Sequence, residues 1–514
     1  MKKLSFLWML VATVMLLASC SKKQAARLIP EDAVAVVRLD VTKMLKGAGA
    51  DRDDSSLKKW LRKEIKNANF DKETRQRLLD VVDDPTNSGI DFTEPLYVFV
   101  GGDLQRNVDY GVVGTVASGG DLNTLIETIL SDNDELMLEE GDGGTRYVAQ
   151  RDMAFIYTDD WFYFGPVEMG RGREPKVDDT IETLLARADG EGSLQGNQAL
   201  QKMEEQPGLA QLLLLGSGLD GKRGMDELAE MLPDGAELKD VAMLSDFVLD
   251  ESEAVATWQT LAFSDEWQEY VDKGDALCGE FSKAQTKYVS GHALCALLNI
   301  DVEEYIDNVE DMLRKMGGRD AREAIDMLRQ MGDQLTGTAS FDLYAINDQG
   351  RPQFAAYVGT KSSDLIDKIM NDSGAAADSM AAAMSSNGQY LLPITEYDWF
   401  TEEENVVGVA AAGYSDGLTY YVTDSEKAMV EPDEHLKSSD IKGKGFFLRF
   451  DFSCLNDYED MMGPEENKVL QKLASGLDCM EAYYEGSGKC VFRLSAKGSK
   501  SIAEVFGGIV KMFM

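Results

Sequence analysis

The sequence predicts an α+β fold made of two related halves, each built of β-α-β-β-α modules with antiparallel sheets covered by helices. Three observations carry this expectation. Short runs rich in Val, Leu, Ile and aromatic residues alternate with stretches of helical periodicity; Asp- and Gly-bearing turns join neighbouring runs as hairpins; and one order of elements occurs twice along the chain.

The first strand is Ala33 to Val41, which runs into a helical pattern through Met44 and Leu45, and its counterpart is Ala293 to Val302, followed by a helix with Tyr305, Ile306 and Val309 on one face. Each strand ends near an Asp suited to cap the next helix. Weaker starts of the same kind lie at Leu212 to Gly218 and Phe446 to Phe452. After the first start come helices over Leu57 to Ile65 and Thr74 to Val82, strands Leu96 to Val100 and Tyr110 to Ala117, and a helix capped by Asp121 with Leu122, Leu125, Ile126 and Ile129 at helical spacing. After the third come helices Val302 to Met316 and Arg322 to Met331, strands Gly337 to Ile346 and Gln353 to Thr360 joined through Asn347 to Gly350, and a helix with Leu365, Ile366 and Ile369. The second and fourth starts lead to hairpins at Val241 to Phe263 and Cys479 to Leu494, each followed by a helix. Further strands follow in both larger modules: Tyr147 to Gln150, Met153 to Tyr157 and Trp161 to Phe164 in the first, and Gln389 to Ile394, Val406 to Ala412 and Leu418 to Val422 in the other. Their turns, Thr158-Asp159-Asp160 and Ser415-Asp416-Gly417, place Asp and Gly where a tight reversal needs them.

This order divides the chain into residues 1–19, a signal peptide; 20–27, a tether; 28–290, a first half with modules at about 28–166 and 190–290; and 291–514, a second half with modules at about 291–425 and 437–514. The strands are apolar on both faces, as in Trp161-Phe162-Tyr163-Phe164, so each sheet is expected to be covered on both sides.

The 514 residues carry 51 basic and 91 acidic side chains, a net charge of -40, and 2 histidines. Such an excess of acid excludes a phosphate backbone as partner, because counterion release needs clustered Lys and Arg. The apolar fraction, 44%, is that of an ordinary folded protein, and its acidity reads as a solvated, self-repelling surface that keeps the chain monomeric.

Lys2 and Lys3 precede an apolar run from Leu4 to Leu17, too short to span a hydrocarbon core of about 30 Å and placed as a secretory signal would be. The run ends Leu17-Ala18-Ser19-Cys20, which resembles the lipobox of bacterial lipoprotein signals. That resemblance implies cleavage before Cys20 and acylation of its thiol, with several acyl chains giving stable attachment to a membrane. Cleavage would remove Lys2 and Lys3 and no acid, leaving the mature chain more acidic still. Ser21 to Arg27 form a short polar tether without the Asp or acidic cluster that redirects lipoproteins elsewhere, so the expected address is the outer membrane, facing the periplasm. Of the remaining cysteines, Cys278, Cys295, Cys454, Cys479 and Cys490, an odd number leaves at least one thiol unpaired within the chain. Cys479 and Cys490 flank Gly486-Ser487-Gly488, where a tight turn would pair Cys490 with a residue near Tyr483, so the register opposes their disulfide. Most of the five are expected as small buried residues.

The runs Leu28-Ile29-Pro30-Glu31-Asp32-Ala33-Val34-Ala35-Val36-Val37 and Asp84 to Val100 resemble an uncharacterised family of Bacteroides-type lipoproteins known only as a domain of unknown function (4836). The resemblance implies an envelope address and no activity.

Candidate chemistry is sparse. His292 and His435 lie in no nucleophile motif, and both read as structural or surface residues. The acidic stretch Asp132 to Gly143 superficially suggests calcium, but the sixth position of an EF-like loop starting at Asp132 is Met137, where glycine is required. Gly216-Ser217-Gly218 lacks the Lys-Ser/Thr of a phosphate loop and reads as a turn. Met312, Met316, Met327 and Met331, the run Ala375 to Met384, and the C-terminal helix with Ile502, Val505, Phe506, Ile509, Val510 and Phe513 read as core. No catalytic, cofactor-binding or metal-binding residue is assigned, and Cys20 is the one site residue, for lipid attachment. The expected role is therefore a non-enzymatic envelope lipoprotein that binds a protein, peptide or glycan. The alternatives are an envelope hydrolase working through a carboxylate pair, whose signature is a spacing of about 5 to 9 Å that no sequence displays, and a glycan-capture lipoprotein.

Overall fold

The computed structural model describes residues 25–506 except 48–54, 69, 104–106, 132–135, 169–174, 207, 221–231, 233–234, 280, 282, 317–318, 347–350, 373–382, 385–388, 399–402, 434–435, 438–440, 462–463, 499 and 503. Internal contacts group the chain into two units, one reaching to Glu251 with Ala256–Gln268 added, the other made of Ser252–Val255 and the chain from Glu269 onward. Residues 269–290, expected with the first half, thus pack with the second unit.

In the first unit the strands are β1 (Ala35–Leu39), β2 (Ile90–Asp91), β3 (Leu96–Asp103), β4 (Asn107–Val116), β5 (Glu139–Glu140), β6 (Arg146–Gln150), β7 (Met153–Tyr157), β8 (Trp161–Pro166), β9 (Ala210–Leu215) and β10 (Val241–Leu249), with β11 (Glu253–Ala262) after them. The helices are α1 (Val41–Gly47), α2 (Ser56–Asn67), α3 (Lys72–Asp83), α4 (Gly119–Leu130), α5 (Val177–Ala188) and α6 (Gln198–Glu205), and α7 (Asp265–Ala276) follows β11. Every strand pairing is antiparallel, in the order β5-β6-β7-β8-β4-β3-β1-β9-β10. The smaller module thus adds its strands to the larger module's sheet, with β9 beside β1, because apolar edges left unpaired would expose backbone polar groups.

Local chemistry sets the helix starts. Ser55 accepts from the Lys58 N–H, Asp71 from Glu73 and Thr74, and Asn197 from Ala199 and Leu200. The cap of α4 is Ser118, whose hydroxyl accepts from the Asp121 N–H; Asp121 itself lies in the first turn, because Gly119 and Gly120 are already helical. One sheet face carries the core formed by Val36, Phe99, Val113, Leu213 and Leu244 under the 3-10 turn Ala25–Leu28, α5 and α6. The other face meets α1 and α4 through Val41, Leu96, Leu122, Tyr157 and Phe162. Behind α4, the helices α2 and α3 close a separate cluster with Leu61, Leu78 and Leu125.

The second unit contains α8 (Lys283–Lys287), β12 (Leu294–Asn299), α9 (Val302–Met316), α10 (Arg319–Gly332), β13 (Leu335–Ile346), β14 (Pro352–Thr360), α11 (Asp364–Asp372), β15 (Ala383–Met384), β16 (Tyr390–Asp398), β17 (Glu403–Ser415), β18 (Leu418–Val422), β19 (Phe446–Asp451), α12 (Pro464–Gly476), β20 (Leu477–Gly486) and β21 (Lys489–Ala496). Its antiparallel order is β15-β16-β17-β18-β14-β13-β12-β19-β20-β21. Strand for strand this repeats the first unit, with β12 in the place of β1 and β19 in that of β9. The helix that follows is capped alike in both: Asp40 accepts from the Lys43 N–H, and Asp301 from those of Glu303 and Glu304. Glu310 of α9, almost fully buried, receives the Arg314 and Arg329 guanidiniums and so pins α9 to α10.

Candidate functional site

One face of each sheet contains a polar row beside its apolar core. In the first unit the apolar row Phe99-Val36-Leu213-Leu244 is followed two residues on by Tyr97-Arg38-Gln211-Asp246, each residue opposite the next across the strands. Arg38 Nη1 donates to Gln211 Oε1 at 2.7 Å, and the Tyr97 hydroxyl donates to Glu204 Oε1 on α6 at 3.1 Å. Burial raises the Asp246 carboxyl above the usual range against the pull of Gln211 and Arg38, and burial with Glu204 alongside raises the Tyr97 phenol.

In the second unit the apolar row is Leu297-Phe447-Tyr483-Val491, and the polar one is Asp342-Cys295-Arg449-Glu481-Arg493. Glu481 lies 3.7 Å from Arg449 and 3.8 Å from Lys444, whose ammonium stands 4.1 Å from the Tyr483 ring centroid. Asp342 is fully buried and accepts from the Ser290 N–H at 2.8 Å, the Ser290 hydroxyl at 3.2 Å and the Gly291 N–H at 3.2 Å. Burial raises its carboxyl, those three bonds and the nearby His292 opposing, and burial pushes the Cys295 thiol up to about 12, far from a reactive thiolate.

Ser290, His292 and Asp342 are the residue types of a nucleophilic triad, but their arrangement is a different one. The Ser290 hydroxyl donates straight to the carboxylate, while His292 reaches Ser290 through its backbone N–H at 3.2 Å and is itself exposed. A triad needs the imidazole between the other two. Here the carboxylate instead fixes the loop entering β12, where Gly291 has a φ of 67°.

A cavity of about 440 Å³ opens in the first unit, lined by Glu139, Tyr147, Ala149, Lys176, Asp178 and Asp179 among others. The Tyr147 hydroxyl donates to Glu139 at 2.9 Å, and Lys176 sits 3.2 Å from Asp179 and 3.8 Å from Glu168. Burial, then Glu139 and Asp178, push the Tyr147 phenol up to about 12. Glu139 is therefore engaged by a phenol and Asp179 by an ammonium. Among the described residues no three His, Cys, Asp or Glu side chains are placed to share a metal ion.

The other sheet face differs between expectation and structure. In the second unit it shows three apolar rows, Leu343-Leu294-Phe450-Met480-Leu494, Phe341-Ala296-Leu448-Ala482-Phe492 and Ala339-Leu298-Phe446. Leu298, Phe446, Met480 and Phe492 remain 37 to 42% exposed, so the β12-β19-β20-β21 part of this face is only half covered among the described residues, whereas α11 packs on its β17-β18 part through Ile366, Met370, Ala412 and Tyr421. Reading the strands could reveal that both faces are apolar, but not which of them a helix reaches.

Cys20 and His435 lie outside the described residues, as do Asp132 to Glu135, Asn347 to Gly350, Ala375 to Ala382 and Gly507 to Met514. Glu139 and Glu140 form β5, and Asp142 opens a 3-10 turn. Cys278, Cys295, Cys479 and Cys490 carry free thiols; Cys295, Cys454 and Cys479 are buried, Cys278 is half-buried and Cys490 exposed, and Cys490 lies opposite Tyr484. At the end of β9, Gly216 and Gly218 allow the backbones of Leu238 and Ala33 to approach, which accounts for both glycines without a phosphate. Met331 and Phe506 are exposed, contrary to their reading as core, while Ile502 and Val505 are buried. None of the described helices is long and apolar enough to cross a membrane.

Three crystal forms of TP0453 are similar to parts of the chain. Form III shares 12% identity over 51% of this chain and 90% of its own at a TM-score of 0.27. Form I shares 13% over 47% and 80% at 0.25, and form IV 13% over 47% and 83% at 0.26. No curated protein matches the sequence. Residues 26–157, which run from the first buried turn to the end of β7, match the family described as a domain of unknown function (DUF4836), the family that the runs at Leu28 and Asp84 resemble.

Proposed function

We propose that the chain is a lipid-anchored protein of the cell envelope, attached through Cys20 to the outer membrane on its periplasmic side, with a non-catalytic binding role. The reading is supported by Leu17-Ala18-Ser19-Cys20 and by the way the buried polar groups are used. Asp342, Glu310 and Arg38 are each spent on holding loop, helix pair or sheet together. The observation that carries the binding role is the half-exposed patch of Leu298, Phe446, Met480 and Phe492 from three neighbouring rows, because a large apolar patch on a protein surface marks a contact site. Its partner is an envelope protein or peptide presenting apolar side chains. The test is crosslinked capture from the envelope with the parent and with Phe446→Asp/Phe492→Asp. Loss of the captured partner with an unchanged melting temperature is expected; equal capture would sink the contact. Cys20→Ala should move the protein from the membrane fraction to the soluble one, and unchanged fractionation would remove the anchor.

The cavity lined by Glu139, Asp178 and Asp179 favours one second reading, a carboxylate-dependent hydrolase of envelope glycan or peptide. Turnover of peptidoglycan fragments that Glu139→Gln and Asp178→Asn both abolish would establish it.

A further inference from the structure

The half-covered face of the second unit limits what can seat on it. Its three rows, which run from Ala339, Phe341 and Leu343 of β13 to Phe492 and Leu494 of β21, contain no charged or hydrogen-bonding side chain, in a chain of net charge -40. Leu294, Ala296, Leu448, Phe450 and Leu494 are half-buried between the four exposed residues. From Leu298 on β12 to Phe492 on β21 is three strand spacings, about 14 Å, and from the Phe446 row to the Met480 row is two rows along the strands, again about 14 Å. At about 200 Å² for a large side chain, the exposed parts of Leu298, Phe446, Met480 and Phe492 offer roughly 300 Å², against the ~800 Å² that each partner buries in a standard interface. The patch is too small to hold a second copy of the chain sheet against sheet. It matches three turns of one helix, about 16 Å long and 10 Å wide.

The ladder excludes an extended occupant. β12, β19 and β20 each pair on both sides, so their backbone N–H and C=O groups are consumed within the sheet. A strand laid on this face would bury its own amides without partners, whereas a helix satisfies them internally. The same face already takes a helix: α11 sets Ile366 and Met370 against Ala412, which stands in one cross-strand row with Tyr421, Ala356, Phe341 and Ala296. A further helix would extend that layer over the open strands. The first unit repeats the opening in a weaker form, since Leu214, Met243 and Phe247 are exposed on the matching strands but Ser245, opposite Leu212, interrupts them.

We infer that the β12-β19-β20-β21 face seats one amphipathic helix of an envelope protein, its apolar stripe lying across Leu298, Phe446, Met480 and Phe492 in the same layer as α11. The inference rests on the binding role proposed above and deepens it, because it fixes the secondary structure that the partner presents.

The test uses the full-length protein in its own envelope, with photoreactive benzoylphenylalanine in place of Phe446, Met480 or Phe492 or, as a control, of the exposed Tyr305 on α9. After irradiation the crosslinked residues of the partner are located by peptide mass spectrometry. Positions 446, 480 and 492 should all reach one segment of one protein, at sites three, four, seven or eight residues apart, and position 305 should not reach it. Sites two residues apart would show an extended segment and overturn the inference. Crosslinks to lipid, to a second copy, to residues 507–514 of the same chain, or to nothing would overturn it as well. Capture with Phe446→Asp/Phe492→Asp reports the contact separately: capture lost in that variant with non-helical spacing in the crosslinks refutes the helix alone, whereas capture equal to the parent's refutes the contact.

Discussion

The two units repeat one strand order yet place their polar rows on opposite sides of the corresponding apolar row. In the first unit Arg38 lies two residues after the core residue Val36; in the second Cys295 lies two residues before Leu297. Both core residues stand four positions ahead of the helix-capping Asp40 or Asp301, so the strands correspond and the polar rows do not. The difference teaches that strand order is fixed by the apolar ladder, while the buried polar groups are added where a particular loop or helix needs holding. In the first unit the row reaches α6 through Glu204; in the second it reaches the loop before β12 through Ser290. Roles found in one half therefore do not transfer to the other by position.

Substitutions along the two rows test how differently they are supported. Arg38→Met takes away the charged donor from which the buried Gln211 Oε1 accepts, and should cost about 3 kcal/mol in urea denaturation, the top of the range for a hydrogen bond to a charged group. Asp342→Ala leaves two N–H groups and a hydroxyl without their acceptor and should cost about 2 kcal/mol. Arg449→Met should cost only about 1 kcal/mol, since Lys444 still faces Glu481. An Arg449 effect equal to that of Arg38 would erase the contrast.

The smallest effect is a dependence on pH. The carboxyls of Asp91, Asp246 and Asp342 are all raised by burial, so each contributes stability that is complete below its unfolded value and lost as pH rises through the folded one. Asp246→Asn removes one such term. Relative to the parent, that variant should gain stability as pH rises from 4 towards neutrality, read from urea midpoints at each pH; a difference independent of pH would show that Asp246 does not titrate with folding.

Much of the fold was legible because its signals are local. Apolar runs bounded by Thr158-Asp159-Asp160 and by Ser415-Asp416-Gly417 became β7-β8 and β17-β18, with Asp416 and Gly417 at φ values of 52° and 77°. Asp40 and Asp301 cap their helices because the acceptor and the donors lie within three residues. The helix expected to be capped by Asp121 is capped by Ser118 instead, its first two positions being Gly119 and Gly120, which are poor helix formers that mask the true start. The fusion of each smaller module into one sheet, and the polar rows themselves, depend on partners such as Arg38 and Gln211, 173 residues apart. No local pattern records such a pair. The charge of each residue in the row was visible, but its burial was not. The turn Ala25 to Ile29 belongs to the core of the first unit and not to the tether, because its partners Ser193 and Leu194 lie far along the chain.

The central position of β1 has a consequence for how the protein is made. It is the first strand of its unit to be synthesised, and it lies between β3 and β9, so its second edge stays unpaired until more than a hundred and seventy further residues have emerged. The same delay recurs for β12, which waits for β19. Contacts so distant in sequence make folding slow. Each unit therefore closes its sheet only after most of its strands are available, the central strand keeping one open edge until then.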